Sequence, residues 1–391
     1  MRKRIIKFGV IGCGLMGREF ASAVNRWCHL LNLDFSPQII GVCDTNSNAT
    51  SWFEENIPSL KLVTDDYHEL LTDPEIEAIY CAVPHHLHEQ FYMDIINSKK
   101  HLLGEKPFGI DLKANQKILD VIERHPDVVV RGSSEFPFFP GVQLLSKWIQ
   151  EDKFGKILNV EAGFLHSSDL DPNKKINWKR KIEFNGEYGC MGDLGLHVLH
   201  MPLRFGWIPK NVRAILSNIV TKRPNEDGFM EDCETWDNAT LLCEVEKGTN
   251  SFPMLLNMKR IAPGHANSWY LNIHGTDFSC EYSTKHPKQI HYMEYHPSGN
   301  QSWQTMDVPY QSAYESITGP IFEFGFSDSI LQMWAAFVDE IANRDRMAQS
   351  FTCASPTEIG LSHQIFTAAL RSQQTGETVT LTQQRETSWI G

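Results

Sequence analysis

Ile11-Gly12-Cys13-Gly14-Leu15-Met16-Gly17 is the stretch that decides the fold of this chain. An apolar-rich run from Ile5 to Val10 precedes it, and a segment with helical composition, Arg18 to Val24, follows it. The order strand, glycine turn and helix is the one that brings helix N-terminal amides against a pyrophosphate. Taken alone, three glycines at this spacing can also form an ordinary strand-to-helix turn.

A second apolar run, Ile39 to Cys43, ends at Asp44 and strengthens the first interpretation. A carboxylate in this place can accept hydrogen bonds from the adenosine ribose, although the distance from Gly17 exceeds the usual ~20 residues. Residues 31–37 account for the extra length. We therefore predict NAD as the cofactor, and we expect it to be bound by Gly12, Gly14, Leu15, Met16, Gly17 and Asp44.

Composition excludes several classes of function. The chain has 391 residues, of which 41% are hydrophobic, and its net charge of −12 argues against a nucleic-acid surface. The sequence contains no apolar stretch near the ~18 residues that a membrane span needs, so no membrane role is expected. Its nine cysteines form no C-x-x-C pair, and several fall in core elements. Reduced thiols and a cytoplasmic location fit this pattern.

The pattern of segments predicts two domains of an α/β protein. Up to Arg131, short apolar strands alternate with helical segments, which indicates an N-terminal Rossmann domain with a doubly wound parallel sheet over residues 1–131. Over residues 132–391, strands follow one another without a helix between each pair. This part is therefore predicted to be an α+β domain with a large open, mainly antiparallel sheet.

Glu105-Lys106-Pro107 is one candidate for chemistry, because it follows an apolar strand, His101 to Leu103, at the edge where α/β enzymes place their sites. Proline restricts both its own backbone and that of the residue before it, so Lys106 is held by local geometry. A lysine in a surface turn remains the alternative for this motif alone.

Asp193 and His197 form the second candidate. On a helix they lie one turn apart, so the carboxylate can orient the imidazole and support its charged form. Such a histidine is suited to act as a general acid or base near neutral pH. The same spacing also occurs in purely structural pairs. No Cys or His spacing matches a zinc site, so no metal is predicted.

Taken together, the glycine turn, Asp44, Ala82-Val83-Pro84-His85-His86-Leu87-His88, Glu105-Lys106-Pro107 and Gly192-Asp193-x-x-x-His197 resemble one family. This is the glucose-fructose oxidoreductase, inositol dehydrogenase and MocA (Gfo/Idh/MocA) family. The likeness runs in order along the whole chain. The sequence departs from the family where His85 replaces an asparagine, where His200 replaces a frequent aspartate, and around Glu135, where relatives often carry an arginine.

The resemblance implies roles for individual residues. Lys106, Asp193 and His197 match the catalytic lysine, aspartate and histidine of the family. His166 and Trp178 fall where members line the sugar pocket, so the expected substrate residues are these two together with the catalytic three. Cofactor contacts are expected in addition from Pro84, His85, His88, Glu105 and Lys106.

The leading functional prediction is an NAD-dependent dehydrogenase. It would move hydride between nicotinamide and a secondary alcohol or the anomeric carbon of a sugar, a sugar derivative or a cyclitol. The expected partners are that small molecule and further copies of the chain, as a homodimer or homotetramer. Two alternatives stay open: an NAD-dependent glycosidase that works by transient oxidation, and a non-catalytic protein that senses NAD or sugar.

Overall fold

The computed structural model describes residues 3–308, 312–319, 321–344, 347 and 351–381. The chain divides into two compact units. The first unit comprises Met1–Gly109, Lys113–Pro140 and Tyr310–Pro356, and the second comprises Ile110–Leu112, Gly141–Pro309 and Thr357–Gly391.

Strands and helices alternate in the first third of the chain, and strands dominate the middle. The strands are β1 (Arg4–Ile11), β2 (Phe35–Cys43), β3 (Leu62–Thr64), β4 (Ala78–Cys81), β5 (His101–Gly104), β6 (Val130–Gly132), β7 (Ile157–His166), β8 (Pro209–Ser217), β9 (Lys222–Pro224), β10 (Met230–Asp232), β11 (Asn238–Lys247), β12 (Asn250–Lys259), β13 (Asn267–Gly275), β14 (Phe278–Ser283), β15 (Gln289–Glu294), β16 (Gln304–Asp307) and β17 (Val379–Thr380). The helices are α1 (Leu15–Asn25), α2 (Ser47–Asn56), α3 (Tyr67–Thr72), α4 (His88–Asn97), α5 (Leu112–Arg124), α6 (Pro140–Gln150), α7 (Ile182–Asn185), α8 (Cys190–Arg204), α9 (Phe326–Asn343) and α10 (Pro356–Thr375).

The first unit is built on a six-stranded parallel sheet. Its strand order is β3-β2-β1-β4-β5-β6, the order of a doubly wound dinucleotide-binding sheet. Ile6, Phe8 and Val10 of β1 are fully buried, and so are all four residues of β4. Strands covered on both faces need such apolar runs, which explains why the sequence pattern predicted the Rossmann sheet correctly.

Helix α9 lies far along the sequence and nevertheless packs in the first unit, against α1, β1 and β2. The rings of Phe20 and Trp334 are 3.8 Å apart between centroids, and Arg131 forms an ion pair with Glu340. The division into units therefore differs from a linear boundary after Arg131. The units differ from the predicted boundary because apolar residues of distant segments pack together, and no local sequence pattern predicts such contacts.

The second unit contains a nine-stranded sheet of order β16-β15-β14-β13-β7-β12-β11-β8-β17. Every neighbouring pair is antiparallel except β7 and β12, so the predicted large, mainly antiparallel sheet is confirmed. Helix α8 contacts β7, β11 and β12. In β11, alternate residues such as Leu241 are buried, whereas Leu242 is 53% exposed, because only one face of the strand is covered.

Among the described residues there is no helix with the length and apolar character needed to cross a membrane.

Candidate active site

The glycine turn joins β1 to α1 in a conformation that requires glycine. Gly12 has φ of +94°, and a Cβ on it would lie 2.6 Å from the carbonyl oxygen of Ala82. A Cβ on Gly17 would lie 2.2 Å from the carbonyl oxygen of Gly12. These two positions therefore let α1 begin tight against the sheet. Gly14, at the N-cap of α1, has open space around it, which leaves room for a phosphate at the helix N-terminus.

Asp44, directly after β2, is held against this turn. Its Oδ2 accepts a hydrogen bond of 2.7 Å from the amide of Cys13, and its Oδ1 accepts one of 2.9 Å from the amide of Asn46. The carboxylate is thus fixed beside the residues that open α1. The turn, the open space and the carboxylate together fit a dinucleotide, with Leu15 and Met16 in the first turn of the helix.

His85 and His88 follow β4, and both are buried. One ring nitrogen of His88 faces the carbonyl oxygen of Pro107, and the other lies 2.9 Å from that of Val83. Burial lowers the pKa of His88 to about 4, so the ring is neutral at pH 7. A neutral ring donates to only one of these two carbonyls, so His88 packs between the turn after β4, which contains Pro84, and the turn after β5, with a hydrogen bond to one of them. Its predicted contact with the cofactor stays a prediction.

Glu105 and Lys106 stand at the end of β5. The Tyr80 hydroxyl donates to Glu105 Oε1 at 2.8 Å, and the Lys106 Nζ lies 3.9 Å from Glu105 Oε2. The Tyr92 hydroxyl donates to the Glu105 carbonyl at 2.6 Å, so two buried tyrosines fix this turn. Glu135, after β6, is also buried; burial and the nearby Glu105 raise its pKa to about 7. Sequence reasoning assigned no role to Glu135.

Asp193 and His197 both lie on α8, in the second unit, as their spacing predicted. The Asp193 carboxylate accepts a hydrogen bond of 2.9 Å from Lys179 Nζ on one oxygen and one from the Arg260 guanidinium on the other. The carbonyl of His197 accepts a hydrogen bond of 2.9 Å from the Trp269 indole. Lys179 and Arg260 were missed by sequence reasoning, because neither has a local spacing to Asp193.

His166 and Trp178 lie in the same unit as this pair. The rings of His166 and His197 both pack on Phe164, at centroid distances of 4.4 and 5.4 Å. Lys179, which binds Asp193, also has its Nζ 5.6 Å from the centre of the Trp178 ring. Both histidines thus contact Phe164, and Lys179 links Trp178 to Asp193. Lys106 belongs to the other unit.

Comparison with known proteins agrees with this architecture. Residues 6–133 match a family model described as an oxidoreductase family with an NAD-binding Rossmann fold, and residues 142–281 match the Gfo/Idh/MocA C-terminal domain. A solved structure of levoglucosan dehydrogenase in complex with NADH covers 97% of this chain and is covered completely, with a TM-score of 0.84. At 21% identity this likeness shows the fold.

Two curated relatives align over parts of their length. Levoglucosan dehydrogenase of Pseudarthrobacter phenanthrenivorans is 27% identical over 165 residues, which is 42% of each chain. Glucose-6-phosphate 3-dehydrogenase of Bacillus subtilis is 26% identical over 231 residues, 58% of this chain and 62% of the relative. This chain therefore spans less than two thirds of the length of either relative.

The fold and the matched domains define an NAD-binding oxidoreductase, whose first unit contains the Rossmann domain. The chain belongs to the Gfo/Idh/MocA family, as its motifs predicted.

Proposed function

We propose that this protein is an NAD-dependent dehydrogenase of a sugar, a sugar derivative or a cyclitol. The observation that carries the proposal is the pair Asp193 and His197 on the buried helix α8, with the carboxylate fixed by two cations. A fixed carboxylate one turn before a histidine supplies an oriented proton acceptor. Two relatives named as dehydrogenases of levoglucosan and of glucose 6-phosphate support the substrate class.

In this proposal each residue has a separate task. His197 exchanges the proton of the substrate hydroxyl, Asp193 orients the imidazole and supports its charge, and Lys106 polarises the substrate oxygen. NAD, held by the residues named below, would supply the hydride acceptor. The sugar would lie along His166 and Trp178. The residues proposed to hold the cofactor are Gly12, Gly14, Leu15, Met16, Gly17, Asp44, Pro84, His85, His88, Glu105 and Lys106.

A panel of aldoses, inositols and glycosides, including levoglucosan and glucose 6-phosphate, tests the proposal by the absorbance of NADH. We expect NADH to accumulate with at least one compound, and a His197→Ala variant to lose that activity. Hydrolysis of a glycoside without NADH accumulation would instead identify an NAD-dependent glycosidase. Binding of NAD without turnover of any compound in the panel would identify a sensor.

We also propose that the chain forms a homodimer or homotetramer through the open face of the nine-stranded sheet. Ile215 and Leu242 lie on that face and are 65% and 53% exposed. Exposed apolar side chains on one face favour contact with a second surface. A cytoplasmic location is proposed as well, supported by nine cysteines that are all free thiols.

A further inference from the structure

A chain of buried ions leads away from Asp193. Arg260 directly follows β12, and its guanidinium donates to Asp193 Oδ2 and, at 3.2 Å, to Asp169 Oδ2. The three side chains are 9% exposed or less. One guanidinium therefore joins two carboxylates away from water, in a planar arrangement that arginine can form and lysine cannot.

The same chain continues beyond Asp169. Arg180 Nη1 lies 4.0 Å from Asp169 Oδ2 and forms an ion pair with Asp237. Asp237 is fixed in turn, because its Oδ2 accepts hydrogen bonds from the amides of Ile219 and Val220 at 2.6 and 2.9 Å. We name the row Asp193, Arg260, Asp169, Arg180 and Asp237 the ion row.

Two lysines contact the ion row from its partly exposed side. Lys179 Nζ donates to Asp193 Oδ1 at 2.9 Å, with a side chain 34% exposed. Lys174 Nζ lies 3.2 Å from Asp169 Oδ1, with a side chain 41% exposed. Asp193 is thus placed between two cations, of which Arg260 is buried and Lys179 is half-buried.

A contribution to folding stability does not by itself explain the ion row. Burying several charges costs desolvation free energy, and well-packed apolar residues of similar volume often stabilise a fold as much or more. A buried guanidinium does, however, change the electrostatics of the carboxylate it binds, and that change reaches every titratable group near the carboxylate.

His197 is the titratable group that this effect concerns. It lies one helical turn after Asp193, and it packs on Phe164, which also contacts His166. Cys190 lies one turn before Asp193; burial raises the pKa of its thiol to about 12, so it carries no charge near neutral pH. The charged and titratable groups placed around His197 include Asp193 with its partners Arg260 and Lys179, His166 on the same Phe164, and His200 one turn further along α8. Burial lowers the pKa of His200 to about 3, so it is neutral near pH 7.

We propose that Arg260 is a positioning residue for proton transfer: together with Lys179 it balances the charge of Asp193 and thereby sets the pH at which His197 loses its proton. The inference rests on the proposed function of Asp193 and His197. If no cation balanced the charge of Asp193, this carboxylate would stabilise the imidazolium of His197, which would then lose its proton at a higher pH. With two cations on the carboxylate, the imidazolium is stabilised less and gives up its proton at a lower pH.

An NMR titration tests this without a substrate. In the full chain labelled with ¹³C-histidine, the His197 signal is assigned by its loss in a His197→Gln variant. Arg260→Gln should raise the titration midpoint by ~1 unit, since a neighbouring cation is removed. Lys179→Gln should raise it less, because solvent screens a half-exposed lysine. Asp169→Asn should lower the midpoint, because a negative charge is lost and Arg260 turns fully to Asp193.

The opposite signs of the midpoint shifts in Arg260→Gln and Asp169→Asn distinguish a role of Arg260 in proton transfer from a purely structural role. Lys174→Gln is the matched control: it breaks an ion pair at the exposed end of the same row, where solvent screens the charge, and should shift the midpoint less than Lys179→Gln does. Equal midpoints in Arg260→Gln and Asp169→Asn, or shifts of the same sign, would overturn the inference. If Arg260→Gln does not fold, Lys179→Gln and Asp169→Asn must still shift the titration midpoint of His197 in opposite directions. Arg260→Lys keeps the charge but cannot bind both carboxylates, so its midpoint should fall between those of the unchanged protein and Arg260→Gln.

Failure of this inference is distinguishable from failure of the proposed function. Normal NADH formation by His197→Ala would refute the proposed function, whatever the titration shows. Loss of activity in His197→Ala with an unmoved midpoint in Arg260→Gln would refute only the role of Arg260.

Discussion

The carboxylate of Asp44 accepts a hydrogen bond of 2.7 Å from the backbone amide of Cys13, inside the glycine turn. This bond joins the end of β2 to the start of α1, so the negative charge of Asp44 stands beside the open space around Gly14. A nucleotide held in that space meets a fixed carboxylate at the edge of the sheet.

We expect this carboxylate to make the protein prefer NADH to NADPH. A 2′-phosphate beside Asp44 would meet a like charge, and Thr45-Asn46-Ser47-Asn48 contains no lysine or arginine to neutralise it. Like-charge contacts cost several kcal/mol, so calorimetric titration should show at least ~10²-fold weaker binding of NADPH. Asp44→Ser should reduce the difference between the affinities for NADH and NADPH. Asp34→Asn is the control: Asp34 is exposed and precedes the opposite end of β2, so this variant should keep the difference unchanged. Equal affinities for NADH and NADPH in the unchanged protein would contradict the role assigned to Asp44.

Lys106→Ala should leave the affinity for NAD nearly unchanged and lower turnover by ~10²-fold, the usual effect of losing one group that stabilises developing charge. The lysine is assigned to the substrate oxygen, and its proposed contact with the cofactor is not with the pyrophosphate. Calorimetry with NAD and turnover with the substrate found in the panel measure the two effects. Lys113→Ala, an exposed lysine of α5, serves as the control. A large loss of NAD affinity with normal turnover at saturation would reassign Lys106 to the nucleotide.

His88 should make the stability of the protein depend on pH. Its pKa falls from 6.5 to about 4 on folding, so between these values the unfolded chain binds more protons than the folded one. The stability linked to this residue is therefore complete above pH ~6.5 and is lost as the pH falls through about 4, by ~3 kcal/mol in total.

Urea unfolding at pH ~8 and pH ~5 measures this dependence. His88→Gln cannot titrate, so the difference in unfolding free energy between the unchanged protein and this variant should shrink as the pH falls. His68→Gln, on the exposed surface of α3, should show no such change. A difference that stays constant with pH would show that His88 is not the group responsible.

The local parts of this architecture could be predicted from the sequence, and the long-range parts could not. The glycine turn lies within residues 11–17, although Gly12 also meets the carbonyl of Ala82. The placing of Asp193 and His197 on one helix depends only on their spacing. Arg260 follows a strand 67 residues after Asp193, so its contact arises from the order of strands in the sheet. The basic stretch Lys174 to Lys181 was not recognised in the sequence, because its acidic partners lie in three other segments.

The open sheet face should be the surface through which the chain assembles. Ile215 pairs with Thr240 across β8 and β11, so it lies on the same face as Leu242. A double variant, Ile215→Glu and Leu242→Glu, would bury two charges in a subunit contact and should give monomers in sedimentation velocity. Met230→Glu changes an exposed apolar residue of the separate β9–β10 sheet and should leave the mass unchanged. A double variant with the original mass would place the contact elsewhere.

His197→Ala should lower kcat by ~10²- to 10⁴-fold with folding unchanged, the range that a general base contributes. This corresponds to about 3 to 5 kcal/mol of barrier. Asp193→Asn should cost less if its task is to orient the imidazole and support its charge, and the double variant should lose less than the sum, since both act through one proton. Because Asp193 also balances Arg260 and Lys179, circular dichroism must show that its variant is folded before rates are compared.

The dependence of kcat/KM on pH completes this last test. The unchanged protein should show an ionisation near neutrality that disappears in His197→Ala, because the group that must be neutral to accept the proton is gone. His166→Ala is the matched control: its ring packs on the same Phe164, yet it is assigned to the sugar, so it should raise KM and keep the ionisation. Near-normal turnover with the same pH profile in His197→Ala would make the pair a structural one and leave Lys106 as the residue that moves the proton.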